Sequence, residues 1–151
     1  MKKVSSLFAL LVLFVFAIAA QAQGPGIGND HLIAPDELAK VLQGNGPKPI
    51  ILNVGPRMLY EQAHIKGAEY VGAGSEPAGI DALRMRAKTL SKKQQIVLYC
   101  GCCPWSHCPN VGPAYRELSS LGFTNVKVLF IADNIGTDWV YKGYPTAKGG
   151  Q

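Results

Sequence analysis

Apolar residues in this chain form two kinds of run that alternate. Ile50-Ile51-Leu52-Asn53-Val54, Ile96-Val97-Leu98-Tyr99 and the stretch from Val126 to Ile131 are short and nearly unbroken. Each is too brief for a helix and reads as a buried strand. Between them, apolar residues recur at spacings of three and four. Ile80, Leu83, Ala87 and Leu90 make one such face, and Val111, Tyr115, Leu118 and Leu121 make another. Both predict helices with a single buried side. Pro35-Asp36-Glu37-Leu38 reads as a helix start with acids in its first turn, Leu38 and Leu42 sharing a face. Asn110 is placed to cap the helix beginning at Val111, and Gly122 to end it. Arg57 to Ala63 has helical composition, Glu69 to Val71 reads as a short strand, and Asp138 to Lys142 as a last helical turn. Strands alternating with helices predict one α/β domain with a mainly parallel central sheet flanked by helices.

The N-terminus follows another pattern. Lys2 and Lys3 precede an uncharged apolar run from Leu7 to Ala20, and Ala20-Gln21-Ala22 supplies small residues at a cleavage site. This is the layout of a secretory signal peptide over residues 1–22. Its apolar run is shorter than the roughly 20 residues that span a bilayer. The implied location is periplasmic or secreted, with no stable membrane insertion after cleavage. Residues 23–30 read as a flexible tether, 31–147 as the domain and 148–151 as a tail.

Composition changes once the signal is set aside. The full chain has 151 residues and a formal charge of +5; the first 22 carry two lysines, so the mature part has 13 basic and 10 acidic residues. That balance is too mild for a nucleic-acid footprint. Much of the positive mean hydropathy, +0.10, comes from the segment that is removed. What remains is long enough to bury a core without covalent staples.

The chemistry lies in one loop. All four cysteines fall in Cys100-Gly101-Cys102-Cys103-Pro104-Trp105-Ser106-His107-Cys108, between a buried strand and a helix start. Reactive groups collect at the carboxyl ends of parallel strands. The helix start offers unpaired N–H groups and partial positive charge, which stabilise a thiolate. Cys100, the first residue after the strand, is the expected nucleophile with a lowered pKa. Disulfides closing so short a loop would constrain little chain entropy, so the clustering favours sulfur, redox or metal chemistry. Cys102, Cys103 or Cys108 would serve as resolving or redox thiols, and His107 as an acid or base. Cys100 with Cys103 also forms a C-x-x-C pair, an alternative thiol–disulfide redox site. No metal or other cofactor is expected; the alternative is Cu or Zn on Cys100, Cys102, Cys103, His107 and Cys108. His64 reads as structural, His31 as solvated, and Tyr115 and Trp139 as core.

Several segments together resemble the rhodanese-like family. They are Asn53 followed by His64-Ile65-Lys66-Gly67-Ala68, the strand Ile96 to Tyr99 running into Cys100, Leu121-Gly122-Phe123 after the next helix, and Trp139-Val140 with Gly143-Tyr144-Pro145. The resemblance implies a three-layer α/β fold and sulfur transfer. Cys100 would take sulfane sulfur as a persulfide from a small donor such as thiosulfate and pass it to a thiol acceptor. Residues Gly101, Cys102, Cys103, Pro104, Trp105 and Ser106 would cradle the persulfide with backbone N–H groups. Asn53 stands where the family usually has Asp, and Gly55 where it usually has Arg, so a charge pair bracing the loop is missing. Arg57 is the candidate to replace it as an anion contact. The stretch from Cys100 to Gly122 is longer than usual, and Pro104 has no N–H to give. These departures bear on thiosulfate:cyanide activity more than on the fold.

Overall fold

The computed structural model describes residues 24–150. The signal peptide expected over residues 1–22 lies outside the described residues. In chain order the elements are β1 (Leu32–Ile33), α1 (Pro35–Gln43), β2 (Ile50–Asn53), α2 (Arg57–Gln62), β3 (His64–Ile65), β4 (Ala68–Tyr70), α3 (Pro77–Ala87), β5 (Ile96–Tyr99), α4 (Val111–Ser120), β6 (Val126–Leu129) and β7 (Thr146–Ala147). Five strands form a parallel sheet in the order β1-β6-β5-β2-β4, and β3 pairs antiparallel with β7.

Strand β5 is the middle of the sheet, and all four of its residues are buried. Successive side chains on a strand point to opposite faces. Ile96, Leu98 and Cys100 therefore enter one core, with Leu83 and Ala87 of α3 and Val111, Ala114 and Leu118 of α4. Val97 and Tyr99 enter the other, with Leu38 and Ala39 of α1, Tyr60, Ile65 and Trp139. The result is the expected three-layer arrangement. No helix among the described residues is long and apolar enough to cross a membrane.

Several local expectations hold. Trp139 is wholly buried and donates its indole N–H to the Pro145 carbonyl at 3.0 Å. His64 is buried, its Nδ1 2.7 Å from the Tyr60 carbonyl and its ring stacked on Tyr60. Others are corrected. Helix α3 begins at Pro77 rather than near Ile80, because proline fits the first helical turn and its missing N–H costs nothing there. The last helical turn is π-type over Gly136–Val140, earlier than Asp138 to Lys142; buried Asp138 accepts the Asp133 N–H at 2.7 Å. Strands β1, β3 and β7 have two residues each, too few to show a period. His31 is half-buried and tilted against Tyr115, at 5.4 Å between rings.

The segment read as a loose tether is laid on the domain. A side chain at Gly24 would stand 2.6 Å from Trp105 Nε1, and one at Gly112 would meet the Pro25 carbonyl at 3.1 Å. Ile27 packs on the core that contains Cys100. Residues Asn29–His31 form a 3-10 turn.

The central place of β5 sets a stability expectation. Leu98 has no exposed surface, so Leu98→Ala should cost about 2–5 kcal/mol. A urea midpoint unchanged from wild type would contradict that packing.

Candidate functional site

The cysteine loop leaves β5 through Gly101, whose φ of +77° suits glycine. A Cβ there would sit 2.6 Å from the Ile135 Cβ, and the Gly101 carbonyl accepts the Ile135 N–H at 3.0 Å. The chain then passes Cys102, Cys103 and Pro104, makes a 3-10 turn over Trp105–His107, and returns through Cys108 to Asn110 and α4. The sulfurs of Cys100, Cys102 and Cys108 all lie within 4.8 Å of one another. Cys100 Sγ and Cys102 Sγ are 3.1 Å apart, as are Cys102 Sγ and Cys103 Sγ. Cys103 also faces the His107 carbonyl at 3.6 Å.

Asn110 ties this group to the domain. Its Oδ1 accepts the Ser75 N–H at 3.0 Å, which aims its Nδ2 at Cys100 Sγ, 3.2 Å away, with Cys102 Sγ at 3.8 Å. It occupies the expected cap position of α4 but makes no side-chain cap bond. Its amide is spent on the thiols and Ser75 instead, a role that no local sequence signal marks.

On the opposite side, Asn53 accepts the Gly55 N–H at 3.1 Å and donates to the Cys100 carbonyl at 3.5 Å. An ionised Asp in the same place would have no proton to donate to that carbonyl. A Cβ on Gly55 would stand 2.7 Å from the Cys100 carbonyl oxygen and 3.1 Å from its Sγ. Asn53 and Gly55 thus act together: neutral hydrogen bonds and a missing side chain stand where the resemblance implies a charge pair.

The N–H cradle expected over residues 101–106 is smaller and displaced. The Cys102 N–H faces Cys100, while the Asn110 and Val111 N–H groups at the start of α4 face Cys108. The lowered thiol pKa expected at Cys100 falls on Cys108, which the Cys100 S–H and those N–H groups bring down to about 6. Cys100 is pushed up, first by holding the proton it gives to Cys108 and then by burial. Burial and the Cys102 thiol push Cys103 up to about 12. The interaction between these two thiols thus raises Cys100 and lowers Cys108.

Two candidates stand away from this group. The His107 ring is exposed and pairs with Ser106 Oγ at 2.8 Å. Arg57 pairs with Glu61 at 3.5 Å, and its guanidinium lies 4.4 Å over the Tyr70 ring. Trp105 is half-buried and tilted against Phe130. A small cleft of about 10 Å³ is lined by Cys100, Gly101, Cys103, Trp105, Cys108 and apolar neighbours. An open groove of about 400 Å³, with Leu59, Ile135 and Tyr141 in its walls, reaches Cys102.

Comparison with known proteins agrees with this architecture. The family model for the rhodanese-like domain matches residues 34–130. The chain belongs to the rhodanese-like family. A rhodanese-like domain from Anabaena sp., solved in solution, is 25% identical with a TM-score of 0.58, over 78% of this chain and 79% of that one. A Bacillus halodurans protein is 22% identical with a TM-score of 0.61, over 78% and 77%. An enzyme captured with a cysteine persulfide and ergothioneine is 24% identical with a TM-score of 0.53, over 78% of this chain and 28% of that one. No curated protein matches.

The split between the thiols makes folding stability depend on pH. Cys108 ionises near 6 in the fold, against an ordinary value of 9.0. Its contribution is fully present above about 9 and is lost as pH falls through about 6. Cys100 and Cys103 are raised from the same 9.0, so above it the unfolded chain releases protons that the fold retains. Urea midpoints of reduced, metal-free protein should rise from pH 6 to about 9 and fall beyond. Cys108→Ser should flatten the acid limb; an unchanged limb would refute the assignment.

Proposed function

We propose that this chain is an exported sulfurtransferase that carries sulfane sulfur as a persulfide on Cys100. The observation that carries this reading is the surroundings of Cys100. The residue ends the central strand, receives the Asn110 amide at 3.2 Å, and borders a cleft of about 10 Å³. A space of that size is about one water-sized sphere, suited to one added sulfur atom and too small for a whole donor. The groove reaching Cys102 offers the donor and acceptor an approach. The signal-like N-terminal pattern supports export.

The chemistry follows from pairing Cys100, the raised thiol, with Cys108, the lowered one. Cys100 passes its S–H proton to the Cys108 thiolate and attacks the outer sulfur of the donor. A sulfur–sulfur bond forms to Cys100 Sγ, and the donor's own bond to that sulfur breaks. With thiosulfate, sulfite leaves with the electron pair. An acceptor thiolate then attacks the outer sulfur of the persulfide. Cys100 departs as a thiolate and recovers its proton from Cys108. The Asn110 amide and the Cys102 N–H favour the anionic forms of Cys100 in both steps. With Asn53 and Gly55 neutral and Arg57 turned to Tyr70, the site suits a donor of low charge, such as a thiol persulfide, better than dianionic thiosulfate.

Cys100→Ser should abolish transfer to a thiol acceptor and remove the one-sulfur mass increment from the loop peptide. Cys108→Ser should slow transfer on the order of 10²-fold, the lower range for loss of a proton-transfer partner. Transfer at the wild-type rate in Cys100→Ser would overturn the proposal.

A further inference from the structure

We infer that Cys100, Cys102 and Cys108 form a binding site for one Cu(I) ion, held by three thiolates. Two sulfurs on one ion, each about 2.3 Å away, stand at most about 4.6 Å apart. The three sulfurs lie within 4.8 Å of one another, so small side-chain adjustments close the site. At 3.1 Å, Cys100 Sγ and Cys102 Sγ are nearer than even two non-bonded carbon atoms, which rest about 3.5–4.0 Å apart. All three come from one loop pinned at both ends by β5 and α4, so their convergence is built in before any ion arrives.

The donor set selects the ion. Among the described residues, the only metal-capable group is this one, and it contains no imidazole or carboxylate. The His107 ring is turned to Ser106, and Cys103 lies outside the mutual group of three. Thiolates favour Cu(I) and Zn, and zinc in a closed site takes four ligands in a tetrahedron. Three sulfurs match the lower coordination that Cu(I) accepts.

The surroundings suit a thiolate-rich complex. Asn110 Nδ2 donates toward both Cys100 and Cys102, at 3.2 and 3.8 Å, offsetting negative charge and orienting the ligands. Gly55 adds no side chain against Cys100 Sγ, where a Cβ would stand 3.1 Å away. Cys100 is only 4% exposed, which keeps water from competing. Because the ion would engage the thiol proposed to carry sulfur, Cu(I) and persulfide are alternative occupants. Cu(I) binding is nonetheless a separate property that does not require sulfur transfer.

The test is an anaerobic Cu(I) titration of the reduced protein against a chromophoric Cu(I) chelator, with X-ray absorption of the product. One equivalent should bind with sulfur-only coordination and three scatterers. Cys100→Ser, Cys102→Ser and Cys108→Ser should each weaken binding at least about tenfold, the effect of losing even a ligand's hydrogen-bond partner. Cys103→Ser and His107→Ala should bind as wild type. Circular dichroism on each variant separates ligand loss from unfolding. Failure of wild type to compete with the chelator would overturn the site. So would equal weakening by Cys103→Ser, or nitrogen in the absorption spectrum. Sulfur transfer by the metal-free protein is measured apart, so failure of one proposal leaves the other standing.

Discussion

The pleat of the central strand decides where the thiols go. Because β5 has neighbours on both sides, its residues have no freedom to twist outward, and their alternation is carried into the loop beyond. Cys100 inherits the parity of Ile96 and Leu98 and so faces α3 and α4. A shift of one residue would put Tyr99 in its place and send the thiol toward Trp139. The cluster of sulfurs, the reach of Asn110 and the use of the first N–H groups of α4 all follow from that parity.

The loop is braced without a charge. Asn53 makes two contacts with its amide, one to the Gly55 N–H and one to the Cys100 carbonyl. Asn110 does the same between Ser75 and the thiols. An amide is both donor and acceptor, so each joins two backbone or sulfur partners that a carboxylate would serve only as acceptor. Burying neutral amides also avoids the desolvation cost that a buried ion pair carries.

Much of this fold was legible in the amino-acid order, for a physical reason. β5 is buried at every position and β2 and β6 at all but one, so they read as nearly unbroken apolar runs, while α1 and α4 each bury one side and show helical spacing. The two-residue strands β1, β3 and β7 are defined by their partners and carry no pattern of their own. The cysteine loop was legible as a site because its residue types are rare and crowded. Its internal division was not. Which thiol rests as thiolate depends on Asn110 and Val111 N–H directions, and the exclusion of His107 depends on a turn that leaves its ring with Ser106. Asn110 looked like an ordinary cap because capping residues and sulfur-facing amides are the same residues in sequence.

The packing of Gly24 on Trp105 has a practical side. The first described residues rest against Trp105 of the reactive loop, and a side chain at Gly24 would press on its ring. A sequence joined directly to Gly24 in place of residues 1–23 starts beside Trp105, which lines the cleft at Cys100. A purification tag or fusion partner placed there would sit over the loop, and one carrying histidines would bring foreign ligands to a cluster of free sulfurs. An affinity handle belongs at the other end of the chain, where Gly149 is bonded to the Glu61 carbonyl of α2.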